Sequence, residues 1–292
     1  MNSRQLNALL ILLEDPDQKI HHEVMHALKN LSFSDIEELE QIILQDTVSP
    51  QSVIEIQRII HQLRVEETVE QLTNWKEGSS KSLLEAIFNI SKVQYPELDL
   101  SFLKEEIEKI KRHIWLEINP KQTSFEIIQR FNSIFFHAFQ FKRVPAEQIG
   151  PFAYFIPSIL ELREGESIGL GILYSIVAHE LNIPIYGVRF PFNRFLLGYL
   201  DENNSLNGST PSRSHGVLFY ISMRENGRIM TKEHLDNYLK QVNQPGHPSF
   251  FEPASNTDIV KEYLVHIIRS CKSHLGYQKK ASDYEKILTC LT

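Results

Sequence analysis

The sequence contains very little cysteine. Only Cys271 and Cys290 occur in 292 residues, both in segments near the end that predict helices. Two thiols exclude a disulfide framework and a cysteine-rich metal site. We therefore expect a reducing compartment, the cytoplasm, and we expect no bound metal and no cofactor.

Long apolar runs are also absent. No stretch approaches the ~20 apolar residues that a membrane-spanning helix needs. The apolar run at 9–13 is short, and neither a basic start nor a small-residue cleavage site accompanies it. The sequence therefore predicts no membrane segment and no secretory signal.

Positive charge is scarce relative to negative charge. The chain has 30 Lys and Arg against 37 Asp and Glu, which gives a net charge of −7. Non-specific affinity for nucleic acid comes from clustered basic residues that release counterions from the phosphates. Lys142 and Arg143 form too short a basic patch to reverse the excess of negative charge. We therefore expect no nucleic-acid partner, and the expected partner is another protein.

The most informative stretch is an apolar helix in the second half. Residues 168–181 carry apolar side chains almost all round the helical wheel, which predicts a buried helix. Gly169 and Gly171 leave its first turns thin, so another element should pack close against it. Two short runs rich in aromatic and branched residues follow at 183–188 and 195–200, and they predict strands. The predicted fold class is therefore α+β, with a buried helix on a small antiparallel sheet.

The rest of the chain predicts mainly helices. Residues 1–78 indicate antiparallel helical hairpins whose first turn resembles the start of a HEAT-type repeat, with an ordinary helical subdomain as the alternative. The polar, small residues at 77–82 indicate a linker, so we predict two domains, 1–78 and 79–292. Further helices are predicted at 83–93, 101–117, 124–139, 231–242, 257–275 and 281–291, and a third strand at 216–221.

Residues 22–26 spell a zinc-peptidase motif, His-Glu-Val-Met-His. On a helix this spacing places His22 and His26 one turn apart, with Glu23 between them as a base. His22 lies about opposite the buried Ile20 on the wheel, however, and is expected to face water. No downstream residue presents the third ligand that a catalytic zinc needs. We interpret the motif as a solvated helix face and keep the zinc peptidase as a remote alternative.

Ser167, at the expected N-cap of the apolar helix, is the second candidate for chemistry. A thiol at a helix N-terminus becomes reactive, whereas a serine hydroxyl needs a base within hydrogen-bond reach. His179 lies about 18 Å along the same helix, which leaves His215 as the base. Glu164 and Glu166 oppose an alkoxide but suit a plain cap. Capping is the preferred role, and a hydrolase or acyl-transfer enzyme using Ser167 with His215 is the alternative.

Several ordered motifs point to a known family. They are Asn132 with Phe135, Phe136 and Phe141; Ile-Leu-Glu-Leu-Arg-Glu-Gly at 159–165; Ile-Gly-Leu-Gly-Ile-Leu-Tyr at 168–174; Ile-Pro-Ile-Tyr-Gly-Val at 183–188; and Phe-Glu-Pro with a following Asn at 251–256. Together they resemble the bacterial SirB-type proteins of the transglutaminase-like superfamily. The likeness covers about residues 82–292 and does not extend to residues 1–78.

The resemblance implies a papain-like core with Cys at the helix start, His on the next strand and Asp on the strand after. In this chain the Cys place falls on Ser167 and the Asp place on Ser222. The His place falls on Arg194 or, given an apparent one-residue insertion, on Asn193. None of the three catalytic residue types is kept, so the fold can be inherited without the activity.

The combined prediction is a transglutaminase-like protein that works as a binding or regulatory module for another macromolecule or a small ligand, and not as an enzyme. Its expected docking places are the helical surface of residues 1–78 and the cleft near Ser167, Arg194 and Tyr199.

Overall fold

The computed structural model describes residues 3–13, 15, 17–29, 31, 33–43, 49–192, 194–200 and 216–292. The helices are α1 (Ser3–Leu13), α2 (Gln18–Lys29), α3 (Phe33–Ile43), α4 (Pro50–Glu77), α5 (Leu83–Lys92), α6 (Leu100–Glu117), α7 (Ser124–Asn132), α8 (Ile156–Leu162), α9 (Ser167–Glu180), α10 (Lys232–Gln241), α11 (Asn256–Ser273) and α12 (Gln278–Leu291). The strands are β1 (Lys142–Arg143), β2 (Glu164–Gly165), β3 (Ile185–Phe190), β4 (Arg194–Leu200), β5 (Val217–Ser222) and β6 (Arg228–Met230). The predicted α+β class is confirmed.

Helix α9 lies at the centre of the fold, as its sequence predicts. Residues 167–178 are all buried. A β-carbon added to Gly169 would meet the backbone oxygen of Tyr154 at 2.6 Å, and one added to Gly171 would meet the ring of Phe195 at 2.6 Å. The two glycines therefore let their neighbours pack directly on the helix backbone, which confirms the expected close approach.

The N-cap of α9 is one residue earlier than predicted. Glu166 has the extended backbone of a cap, and its Oε2 accepts the Ser167 N–H at 2.7 Å. Ser167 is instead the first helical residue. A carboxylate is favoured at this place because the helix N-terminus carries partial positive charge.

Strands β3 to β6 form an antiparallel sheet in chain order. Along β4 the side chains alternate: Phe195 and Leu197 join the main core around α9, whereas Leu196 packs with Leu235 and Leu239 of α10. The sheet is thus covered on both faces, which explains why β3 and β4 have nearly continuous apolar sequences. The three-residue strand β6 and the parallel pair β1–β2 were not predicted, since such short segments show no periodicity.

The predicted helix 124–139 is wrong in its second half. Helix α7 ends at Asn132 and continues as a π-helix over Ser133–Ala138. Asn132 makes two tertiary hydrogen bonds there: its Nδ2 donates to the Gly227 carbonyl at 2.7 Å, and its Oδ1 accepts from Tyr174 at 3.0 Å. The aromatic side chains of this segment, including Phe131 and Phe135, are core residues, as predicted.

The first four helices enclose a second, smaller core. It includes Leu6, Leu28, Leu39 and Ile56. Helix α4 extends past this core, and its second half contributes residues such as Leu72 to the main core. The predicted linker forms the connection between α4 and α5; the domain boundary placed there stays a prediction. No helix in the described ranges is long and apolar enough to cross a membrane.

Candidate functional site

Three of the residues predicted for the site line one cleft of about 250 Å³. Ser167 begins α9, Arg194 begins β4, and Ser222 ends β5. The sheet register brings the two strand residues together, because Ser222 pairs with Leu196, two residues along β4 from Arg194. The other two predicted site residues, Asn193 and His215, lie outside the described residues.

The carboxylate of Glu166 lies at the N-terminus of α9. Its Oε2 accepts the first helical N–H, and its Oε1 accepts from Arg143 Nε at 2.7 Å. Arg143 Nη2 lies 2.6 Å from the same oxygen. Both partners are largely withdrawn from solvent, with side chains 23% and 12% exposed, so this ion pair is stronger than a typical surface pair. Arg143 reaches Glu166 because β1 pairs in parallel with β2, which places Arg143 beside Gly165, the residue before Glu166.

Arg194 packs against an aromatic ring. Its guanidinium carbon lies 3.9 Å from the centre of the Tyr238 ring, a cation–π contact with α10. A guanidinium stays protonated throughout the physiological range and cannot accept a proton from a nucleophile. Ser222, which is buried, offers a hydroxyl where the resemblance expects a carboxylate.

Four further cleft residues were missed by sequence reasoning. Arg224 follows β5, Tyr154 precedes α8, and His266 and Arg269 lie one helical turn apart on α11. Burial, with a smaller contribution from the negative charge of Glu166, raises the pKa of Tyr154 to about 12, so its hydroxyl stays neutral. The i, i+3 spacing of His266 and Arg269 indicates a shared helix face, but only the tertiary structure shows that this face lines the same cleft as Ser167.

His266 is more than nine-tenths buried. Its Nε2 lies 3.4 Å from Glu262 Oε1, yet the geometry makes no hydrogen bond with any described group. The close approach of His266 lowers the pKa of Glu262, with a further contribution from Arg189, and burial of the carboxylate opposes this shift only in part. The ring of His266 also contacts that of Tyr154, with centroids 6.0 Å apart.

The zinc-motif residues lie far from this cleft in the first helical module. His22, Glu23 and His26 are all exposed on α2, whose buried face carries Val24 and Leu28. Within the described residues, no group of three His, Cys, Asp or Glu side chains is placed to hold a metal ion.

Tyr199, a predicted neighbour of the site, lies elsewhere, and so does His179, which was excluded as the base. Tyr199 lines a different cleft, beside Trp115 and Pro184, so its expected place near Ser167 is wrong. Tyr199 is at the far end of β4 from Arg194, and a seven-residue strand separates its ends by about 20 Å. His179 is also remote from the cleft, because it lies at the C-terminal end of α9. There its Nε2–H donates to the Ile185 carbonyl at 2.6 Å.

Residues 102–264 match the family model described as the transglutaminase-like superfamily, which is more than half of the chain. The match extends from α6 into α11 and includes Ser167, Arg194 and Ser222, whereas His266 and Arg269 lie just beyond it. No curated protein and no solved structure matches the chain significantly.

Proposed function

The chain belongs to the transglutaminase-like superfamily, and from that premise we propose that it works as a binding or regulatory module and not as an enzyme. The observation that supports this most is the composition of the cleft, which is lined by Ser167, Arg194 and Ser222. The resemblance implies Cys at Ser167, His at Arg194 or Asn193, and Asp at Ser222. A serine hydroxyl flanked by a cation that cannot take its proton is a poor nucleophile.

The charge at the head of α9 supports the same proposal. Acyl transfer by this type of core needs the helix N-terminus to stabilise an anionic nucleophile. In this chain Glu166 already places a carboxylate there, paired with Arg143. An alkoxide on Ser167 would form next to that negative charge, which opposes ionisation.

We take residues 79–292 as a SirB-type domain and residues 1–78 as a HEAT-like module that presents a surface to a protein partner. Helical hairpins that share a core in this way expose their outer faces for binding. A binding module needs such a surface in addition to a cleft.

A fluorophosphonate reagent tests the absence of a catalytic serine. The reagent forms a P–O bond with an activated serine and releases fluoride. We expect intact-mass and peptide analysis of the full chain to show no label on Ser167, with a known serine hydrolase in the same tube as positive control. Labelling that disappears in Ser167→Ala and in His215→Gln would overturn the proposal and establish the hydrolase alternative.

Affinity capture tests the binding surface. The double variant Lys19→Glu/Arg58→Glu reverses charge at exposed positions of α2 and α4, and Lys104→Glu reverses an equally exposed charge on α6. We expect the first variant to lose a protein captured reproducibly by the wild-type chain, and the second to retain it. Equal capture by both variants would exclude the face of the first module that carries these two residues.

A further inference from the structure

Three arginine side chains reach the cleft from three separate elements. Arg194 comes from β4, Arg224 from the turn after β5, and Arg269 from α11. No carboxylate among the described residues forms an ion pair with any of them. Arg143, in the same cleft, is by contrast neutralised by Glu166.

This arrangement gives the cleft more positive than negative charge, with Arg224 and Arg269 exposed to solvent and Arg194 half-buried. Like charges that converge without a counter-charge repel one another, and a concave wall concentrates their field. The planar guanidinium presents paired N–H donors that match the oxygens of a phosphate or a carboxylate. A negatively charged group in the cleft would therefore relieve the repulsion and satisfy these donors.

The cleft also has an aromatic part, and it adjoins Arg194, whose cross-strand partner is Phe190. Phe190, Phe192 and Phe195 all line it. Phe192 is 54% exposed and has a φ of 61°, a left-handed conformation that is strained for a residue with a bulky side chain. Strained backbone that displays an apolar ring at a cleft is typical of a ligand contact.

His266 gives an independent indication of a ligand. Its buried Nε2 lies 3.4 Å from Glu262 Oε1 but forms no hydrogen bond there, so this ring nitrogen keeps unused bonding capacity that a bound ligand could satisfy. His266 lies on the same wall as Arg269, so a ligand held by the arginines would come within its reach.

We propose that this cleft binds a small organic anion. Its phosphate or carboxylate head contacts Arg194, Arg224 and Arg269, and its apolar body lies against Phe190 and Phe192. The cavity volume of about 250 Å³ lies just below the ~300–1,000 Å³ of drug-sized ligand sites, so the cleft suits a small molecule of few atoms. The inference rests on the proposed function, since it assigns a ligand class to a cleft that is taken to be non-catalytic.

Calorimetric titration of the full chain at fixed ionic strength tests the site. The probes are phenyl phosphate, phenylacetate, inorganic phosphate and uncharged benzyl alcohol. We expect phenyl phosphate or phenylacetate to bind more tightly than inorganic phosphate, and benzyl alcohol not to bind. The difference between the first two probes identifies the preferred head group, and either preference supports the site.

Charge-matched variants locate the binding. Arg224→Gln and Arg269→Gln should each weaken binding about tenfold, because each removes a charged hydrogen bond. Arg112→Gln, which removes an exposed arginine on α6, should leave affinity within about twofold. Thermal unfolding of each variant confirms that it is folded.

Two outcomes would overturn the anion site: no probe binds at millimolar concentration, or Arg112→Gln weakens binding as much as the cleft variants do. Neither outcome bears on the fluorophosphonate result. Unlabelled Ser167 with no anion binding would remove only the ligand assignment, whereas labelled Ser167 would remove the proposed function whether or not an anion binds.

Discussion

Glu166 binds Arg143 with one carboxylate oxygen and the first amide of α9 with the other. Oε1 accepts from Arg143 Nε at 2.7 Å, and Oε2 accepts from Ser167 N at 2.7 Å. A full negative charge thus lies at the end of the helix that would otherwise stabilise an anion on residue 167. Any nucleophile at position 167 meets a helix field that is already neutralised.

Thiol reactivity at position 167 measures this neutralisation. In a Ser167→Cys background, adding Glu166→Gln should speed alkylation by iodoacetamide about tenfold near neutral pH. The second change removes the nearby negative charge and leaves Arg143 free to stabilise a thiolate. Both effects lower the thiol pKa.

The natural cysteines provide a low background for that experiment. Burial raises the pKa of the Cys271 thiol to about 11 and also raises that of Cys290. Peptide mass spectrometry of the Glu166→Gln single variant measures any labelling of these two thiols. An unchanged alkylation rate at position 167 in the double variant would show that Glu166 does not control this site.

Close packing on α9 predicts a large effect of one methyl group. Gly169→Ala should lower the free energy of unfolding by about 1–3 kcal/mol, because the new β-carbon would meet backbone of Tyr154, which cannot rotate away. Gly150→Ala is the control, since nothing lies within 4 Å of its added β-carbon. Urea unfolding monitored by circular dichroism gives both values. Equal stability of the two variants would contradict the packing at Gly169.

The central helix could be predicted from sequence because its signal is local. Its apolar residues and glycines, among them Gly169 and Gly171, follow one another in the sequence. An uninterrupted apolar run of this kind predicts a buried helix without any information about distant residues. The choice between Glu166 and Ser167 as the cap was not predictable in this way. Two adjacent polar residues give the same pattern, and the pairing of Glu166 with Arg143 depends on the β1–β2 contact.

The composition of the cleft depends almost wholly on tertiary structure. Ser167, Arg194 and Ser222 could be named because the family resemblance supplied their places. His266 and Arg269 could not be named in advance. They lie on a helix about 100 residues after the start of α9, and helical periodicity shows which face of a helix is buried but not which element packs against it. The π-helix after Asn132 was missed for a similar reason, since its bonds to Gly227 and Tyr174 are non-local.

His179 predicts a pH dependence of stability. Burial lowers the pKa of His179 below its ordinary value of 6.5, and the hydrogen bond to the Ile185 carbonyl offsets this only in part. The unfolded chain therefore takes up a proton at a higher pH than the folded chain does. The contribution of neutral His179 is complete above about 6.5 and is lost as the pH falls from there through the lower, folded pKa.

His179→Gln should remove this contribution while keeping an N–H donor. We expect the difference in unfolding free energy between wild type and variant to shrink as the pH falls from about 7.5 to about 5.5. His22→Gln, at an exposed position of α2, is the matched control for replacing a histidine by glutamine. A constant difference for His179→Gln would contradict the effect of burial on His179.

Truncation tests whether the predicted domain boundary separates independent folds. Leu72 and Trp75 of α4 are buried in the main core, and Trp75 Nε1 donates to the Ser82 carbonyl at 2.8 Å. Helix α4 also meets the C-terminal helix, where His61 Nε2 lies 2.8 Å from Asp283 Oδ2. A fragment of residues 79–292 lacks these contacts.

We expect the unfolding free energy of the fragment 79–292 to be at least about 3 kcal/mol lower than that of the fragment 50–292. The shorter fragment lacks both Leu72 and Trp75, and removing two large core side chains destabilises a fold more than truncating one. The fragment 50–292 is the matched control, since it keeps α4 and omits only the helices before it. It exposes Ile56 and Ile59, so the two fragments are compared by chemical denaturation at low protein concentration. Equal stability would instead support residues 79–292 as a domain that folds without α4, because the second half of that helix would then contribute nothing to the core it lies in.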